Sequence, residues 1–284
     1  MTQLSKPFDQ SILKKVHINK NYVEAQVDQI LKNNLVKSQD NINAWLLQAV
    51  KLIDLTTLSG DDTKSCVIRL CQKAANPLDD KLVKALKHEN RITTAAVCVY
   101  PSRVKDVCST LNRIPEIGKE IQVAAVQDGA TEIDVVIDRS LVLMGKWEQL
   151  YNEIAQMRKA CGTAHLKVIL GVGELGSYEN IYKASMIAMM AGADFIKTST
   201  GKETVNATLP VGLVMCRAIR KYYQMTGFKV GLKPAGGIKT AQDAVNWLIL
   251  VYTELGQEWL SPKLFRIGAS SLLDVIEKDL KKYL

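Results

Sequence analysis

Histidine is scarce and cysteine is scattered in this chain of 284 residues, and the two shortages remove whole classes of chemistry. The three histidines, His17, His88 and His165, lie far apart and suggest no catalytic triad. The six cysteines, at 66, 71, 98, 108, 161 and 216, include no Cys-x-x-Cys pair, so structural zinc has no ligand set and no metal or other cofactor is expected. No window approaches the length of a membrane span, and the first residues carry no apolar run of signal-peptide length. The expectation is a reducing cytoplasm, away from membranes.

Charge is not concentrated either. A formal net charge of +8, from 37 Lys and Arg against 29 Asp and Glu, would suit a nucleic acid or an anionic small molecule. The basic residues are spread, with short clusters such as Lys14-Lys15 and Lys281-Lys282 and no recognition motif. A solvated surface with a small phosphate site is therefore expected, and no nucleic-acid partner. No composition break marks a linker, and the length suits one large α/β barrel or two smaller domains.

What is present is a recurring unit, a short apolar run followed by a helical stretch. Residues 1–45 read as an amphipathic helical extension, with Val23, Val27, Ile30 and Leu31 on one stripe, ahead of a domain over 46–284. Strand candidates follow at 52–58, 93–100, 131–137, 165–170, 194–196, 229–233 and 265–268. Runs apolar on both faces, alternating with helices, imply a parallel sheet and most simply a TIM-type (β/α)8 barrel. That barrel needs an eighth strand. Between Pro101 and Thr131 the sequence reads instead as a helix, a turn at Ile114 to Gly118, and a second helix from Lys119 to Asp128; casting Ile121 to Val126 as the strand would leave no helix before the next one. The third strand is expected to be missing or replaced.

Asp194-Phe-Ile-Lys-Thr-Ser-Thr-Gly-Lys202 places Lys197 where an apolar strand gives way to small hydroxyl residues, at the ligand-binding end of a parallel sheet. A lysine is a nucleophile only when neutral, and a free amine with pKa near 10.4 is neutral about once in a thousand at pH 7. A second ammonium ~6 Å away contributes roughly 2.8 kcal/mol toward losing that proton at an effective dielectric of ~20. Val230-Gly-Leu-Lys-Pro-Ala-Gly-Gly237 supplies the neighbour in Lys233.

The turns Pro234-Ala-Gly-Gly237 and Ile267-Gly-Ala-Ser-Ser271 each follow a strand and precede a helix, the usual phosphate position in barrels. Gly236, Gly237, Gly268, Ser270 and Ser271 are candidate phosphate ligands, joined by Gly201 and Lys202. Asp134 sits among Ile133, Val135 and Val136, where a carboxylate needs a buried cation and could relay protons. Gly171-Val-Gly-Glu-Leu-Gly176 matches a dinucleotide fingerprint with Asp194 downstream. Asp194 stands at the start of its strand, the wrong end for a ribose-binding acid, so nicotinamide and flavin are not expected.

At these residues the chain resembles the deoxyribose-phosphate aldolases, class I aldolases on a (β/α)8 barrel. The likeness runs from about Lys51 to Ser271 through Leu-Ile-Asp-Leu-Thr-Thr-Leu, Ala-Ala-Val-Cys-Val-Tyr-Pro, Glu-Ile-Asp-Val-Val, the Lys197 segment, Lys-Pro-Ala-Gly-Gly and Arg-Ile-Gly-Ala-Ser-Ser. It implies that Lys197 forms a Schiff base, Lys233 perturbs it and Asp134 assists proton transfer. Asp54, Thr56, Cys98, Lys167 and Thr200 fall on the family's supporting polar network. The implied reaction is reversible cleavage of 2-deoxy-D-ribose 5-phosphate to D-glyceraldehyde 3-phosphate and acetaldehyde, with no cofactor, because the iminium serves as electron sink. A phosphorylated sugar and an aldehyde are the partners, and a homo-oligomer is left open.

Two departures stand out. The family's third strand, with its Phe-Pro-x-Gly-like turn and the start of its helix, has no counterpart, as though a segment were excised. Val172 also replaces a usual threonine. Tyr283 stands near where some relatives carry a terminal tyrosine that reaches the site, without local agreement in sequence. The alternative reading is a catalytically impaired relative that acts as a binding or interaction protein because its barrel cannot close.

Overall fold

Eight short runs form parallel strands: β1 (Ile53–Thr56), β2 (Ala96–Cys98), β3 (Gln122–Ala124), β4 (Glu132–Val136), β5 (His165–Ile169), β6 (Phe195–Lys197), β7 (Gly231–Lys233) and β8 (Ile267–Ala269). The structure is a computed structural model that describes residues 5–114, 118, 120–125 and 129–283, the side chain of Tyr283 excepted. The strands make one sheet in the order β7-β6-β5-β4-β3-β2-β1-β8, and a parallel bridge from Leu232 to Phe265 links β7 to the approach of β8. This is the strand order of a TIM-type (β/α)8 fold.

The third strand is replaced and not absent. The helix expected over 119–128 gives way at 122–124 to a strand in register with β2, pairing Ala96 with Gln122 and Cys98 with Ala124. On its other side the Ala125 amide donates to the Glu132 carbonyl at 3.0 Å, and the Thr131 amide to the Val123 carbonyl at 3.0 Å. Local helix preference loses here because an unfilled slot would leave backbone groups of two strands unpaired. Ile121 and Val123 are buried, as strand residues should be. Residues 119 and 126–128, also assigned to that helix, lie outside the described residues.

Seven residues separate β3 from β4, too few for the dozen or so that a helical crossover needs. The outer face of β4 is correspondingly thinly covered: Ile133 and Val135 are half-buried.

Two compact units share the chain. The first comprises Met1–Leu35, Ile133–Gly237 and Ile249–Phe265, and so holds β5 to β7 and most of β4. Its helix Lys20–Asn33 is capped by Asn19, whose side chain accepts the Tyr22 amide, and it buries Val23, Val27 and Ile30. That stripe packs on helix Leu209–Thr226, which begins with Thr208 as cap and Pro210 in its first turn. The same helix ends at Gly227 in the left-handed conformation.

The second unit comprises Val36–Glu132, Ile238–Leu248 and Arg266–Leu284, and holds β1 to β3 and β8. Thr63 caps helix Lys64–Ala75 by accepting the Cys66 amide. Asp62 turns back to the Thr57 hydroxyl (2.8 Å) and the Ser59 amide (3.1 Å), and so closes the loop after β1.

Candidate active site

Strand alternation selects which side chains of β4 to β7 share a face. β6 and β7 pair in register as Phe195 with Gly231 and Lys197 with Lys233, so the two lysines emerge side by side at their strands' C-terminal ends. Gly231 is required beneath them: a Cβ there would lie 2.3 Å from the Phe195 ring, which fills the space. On β5, Lys167 pairs in register with Phe195. Its ammonium lies 5.9 Å from the centroid of that ring.

These amines converge on one carboxylate. Lys197 Nζ donates to Asp134 Oδ2 at 2.8 Å and Lys233 Nζ to the same oxygen at 3.1 Å, while Lys167 Nζ stands 3.3 Å from Oδ1. Sharing one oxygen holds the nitrogens of Lys197 and Lys233 no farther apart than those two contacts together allow. The side chains are nearly dry, at 0% exposure for Lys167, 1% for Lys233, 6% for Lys197 and 9% for Asp134. Burial alone would raise the Asp134 carboxyl, but Lys197, Lys233 and Lys167 outweigh it and hold the group well below the usual carboxylate range. Oδ1 is buried and accepts no hydrogen bond among the described residues.

The loops above β6 and β7 are stitched together. Thr198 Oγ1 accepts the Ala235 amide at 3.0 Å, and the Ser199 hydroxyl donates to the Ala235 carbonyl at 2.6 Å. Gly201, Gly236 and Gly237 all have positive φ, at 89°, 77° and 83°. A Cβ on Gly201 would lie 3.8 Å from Gly236, and one on Gly236 would strike the Asn206 side chain at 2.7 Å. The Thr200 amide donates to both carboxylate oxygens of Glu203, at 3.1 and 3.0 Å, and the Lys202 amide to Thr200 Oγ1 at 3.3 Å. Lys202 itself is exposed.

The remaining expected residues lie in the second unit and have their own partners. The Thr56 hydroxyl donates to the Asp54 carbonyl at 2.9 Å, and the carbonyl of buried Cys98 accepts the Thr57 amide. Gly268 pairs with Asp54 in the β1–β8 register. Ser270 and Ser271 are exposed, and Ser271 stands at the N-cap of helix Leu272–Leu280 without a side-chain capping bond. Asp54 is buried with Arg266, whose Nη1 reaches its Oδ1 at 2.6 Å. The same guanidinium grips Glu132 in a fork, Nη2 to Oε1 at 2.8 Å and Nη1 to Oε2 at 3.2 Å.

Sequence reasoning missed Glu132, Arg266, Ser199, Glu203 and Asn206 as participants. Glu132 was readable in part, since it precedes Asp134 by two residues on a strand and must share its face. The dinucleotide-like glycines have structural causes: a Cβ on Gly173 would lie 2.2 Å from the Val205 carbonyl oxygen. Asp194 is committed to Arg158 and to the Leu166 amide, each at 2.8 Å. Val172 is buried, and its amide donates to the Thr198 carbonyl at 3.0 Å.

Residues 48–278 match the family model described as DeoC/LacD family aldolase. The chain is 56% identical to the human protein named deoxyribose-phosphate aldolase, over 96% of this chain and 92% of the human one. It is likewise 56% identical to the Mus musculus protein of that name, with the same coverage. The 295 aligned positions exceed the 284 residues here, so these relatives carry residues within the matched span that this chain lacks. The crystal structure of a candidate deoxyribose-phosphate aldolase from Toxoplasma gondii ME49 superposes with a TM-score of 0.71 at 21% identity, covering 86% of this chain and 99% of that one, and so shares the fold. The chain therefore belongs to the DeoC/LacD family of aldolases and is a carbon–carbon lyase of that family.

Proposed function

We propose that this chain cleaves 2-deoxy-D-ribose 5-phosphate reversibly through a Schiff base on Lys197. The observation that carries the reading is the cluster of three amines on one buried carboxylate, with Lys197 and Lys233 paired in register at the strand ends. The amine that attacks an aldehyde must carry a lone pair, and Lys197 is the one that stands at its strand's end with the greatest access to the mouth of the site.

Neutral Lys197 adds to the C1 aldehyde of the open-chain sugar, and the carbinolamine loses water to give an iminium. Removal of the C3 hydroxyl proton sends the C2–C3 bonding pair into the iminium, which becomes an enamine as glyceraldehyde 3-phosphate departs. Protonation at C2 and hydrolysis then release acetaldehyde and restore the amine. Asp134 steers these transfers through water. Lys233 and Lys167 hold that carboxylate in place.

The phosphate belongs to the turns after β6 and β7, at Gly201, Lys202, Gly236 and Gly237, with Thr200 in the supporting polar network. Gly201, Gly236 and Gly237 already hold left-handed conformations, which bring the backbone of these turns close to a ligand without a side chain in the way. We place the reaction in the breakdown of deoxyribonucleotides in the cytoplasm. The six cysteines are free, and among the described residues no helix is long and apolar enough to cross a membrane. The alternative of an impaired binding protein rests on an absent third strand, and 122–124 fill that place.

The test is acetaldehyde release from 2-deoxy-D-ribose 5-phosphate and from unphosphorylated 2-deoxy-D-ribose. The phosphorylated sugar should be preferred about 100-fold in kcat/KM, the worth of two or so charge-assisted hydrogen bonds. No acetaldehyde from either sugar would sink the proposal.

A further inference from the structure

Glu132 and Asp134 are alternate residues of β4, so whatever anchors the first sets where the second is aimed. Arg266 grips Glu132 in a fork and Asp54 with the same guanidinium, all three side chains being at most 4% exposed. The fork joins β4 to β1 and to the residue that precedes β8. Among the described residues the registered pair between β3 and β4 is Ala124 with Glu132, and the connection between them is too short for a helix. Glu132 is thus both a ladder residue and the gripped one. A guanidinium fork fixes direction as well as distance, which a lysine in its place would not.

We infer that Arg266, acting through Glu132, is a positioning residue for Asp134: it supplies the registration of β4 that a crossover helix would otherwise share. The inference rests on the role proposed above for Asp134.

The experiment is a double-mutant cycle read in kcat and KM for 2-deoxy-D-ribose 5-phosphate, with melting curves recorded on each protein. Arg266→Lys should lower kcat about tenfold or more, since misplacing a working group by an ångström is that costly, while KM changes less than about twofold. Added to Asp134→Asn, it should cost nothing further in kcat, because the group it positions is already disabled. Glu132→Gln, nearly isosteric, repeats the cycle should the arginine variant fail to fold. Losses that multiply in the double variant, or a folded Arg266→Lys or Glu132→Gln with wild-type kcat, would overturn the inference and leave the role of Asp134 standing. Wild-type kcat in Asp134→Asn alone would remove that role itself, and the inference with it.

Discussion

Lys197→Ala should lose roughly 10⁴-fold or more in kcat while the protein stays folded. The activity loss follows from removing the bond-forming atom, which neither neighbour can replace. Lys167 is fully buried against Phe195 and Lys233 is 1% exposed, whereas Lys197 is the most accessible of the three at 6%. Preserved folding follows from charge. Two amines still contact the carboxylate in the variant, so it does not strand a buried counterion. Activity within tenfold of wild type would mean that another group attacks the aldehyde.

Asp134→Asn should behave in the opposite way and damage both properties. With the carboxylate gone, three buried amines lose the acceptor they share. Breaking such an arrangement costs ~3 kcal/mol, or on the order of 5–10 °C in Tm for a chain of this size. Loss of proton steering should lower kcat by about 100-fold. The stability difference has a definite pH dependence. The folded-state value of Asp134 is depressed, so its contribution is present above the ordinary carboxylate range near pH 4 and is lost as pH falls through the lower folded value. The gap between variant and wild type should therefore be full at neutral pH and close in strong acid. A gap that persisted unchanged in strong acid would show that the side chain matters through packing and not through charge.

Much of this site was legible before any coordinates. Lys197 and Lys233 stand out because each closes an apolar run at a glycine-rich turn, and Asp134 because a carboxylate amid Ile133, Val135 and Val136 needs a cation. What sequence could not supply was the charge geometry. Two amines in mutual repulsion was the simple reading, whereas the structure inserts Asp134 between them and adds Lys167 from β5 as a direct contact. Pairing partners are a property of sheet register, which a single chain does not display.

The third strand was hidden for a related reason. Residues 122–124 are a strand through the ladder partners offered by β2 and β4, and three residues are too few for periodicity to outweigh the helix-favouring alanines. Arg266 went unread because its partners, Glu132 and Asp54, lie 134 and 212 residues away in sequence.

The most direct test of the account is to incubate the protein with acetaldehyde, reduce with borohydride and map the modified peptide by mass spectrometry. The account predicts one added ethyl group, on the peptide that contains Lys197, and none in Lys197→Ala. An adduct on Lys167 or Lys233 instead, or a folded and unmodified chain, would contradict it.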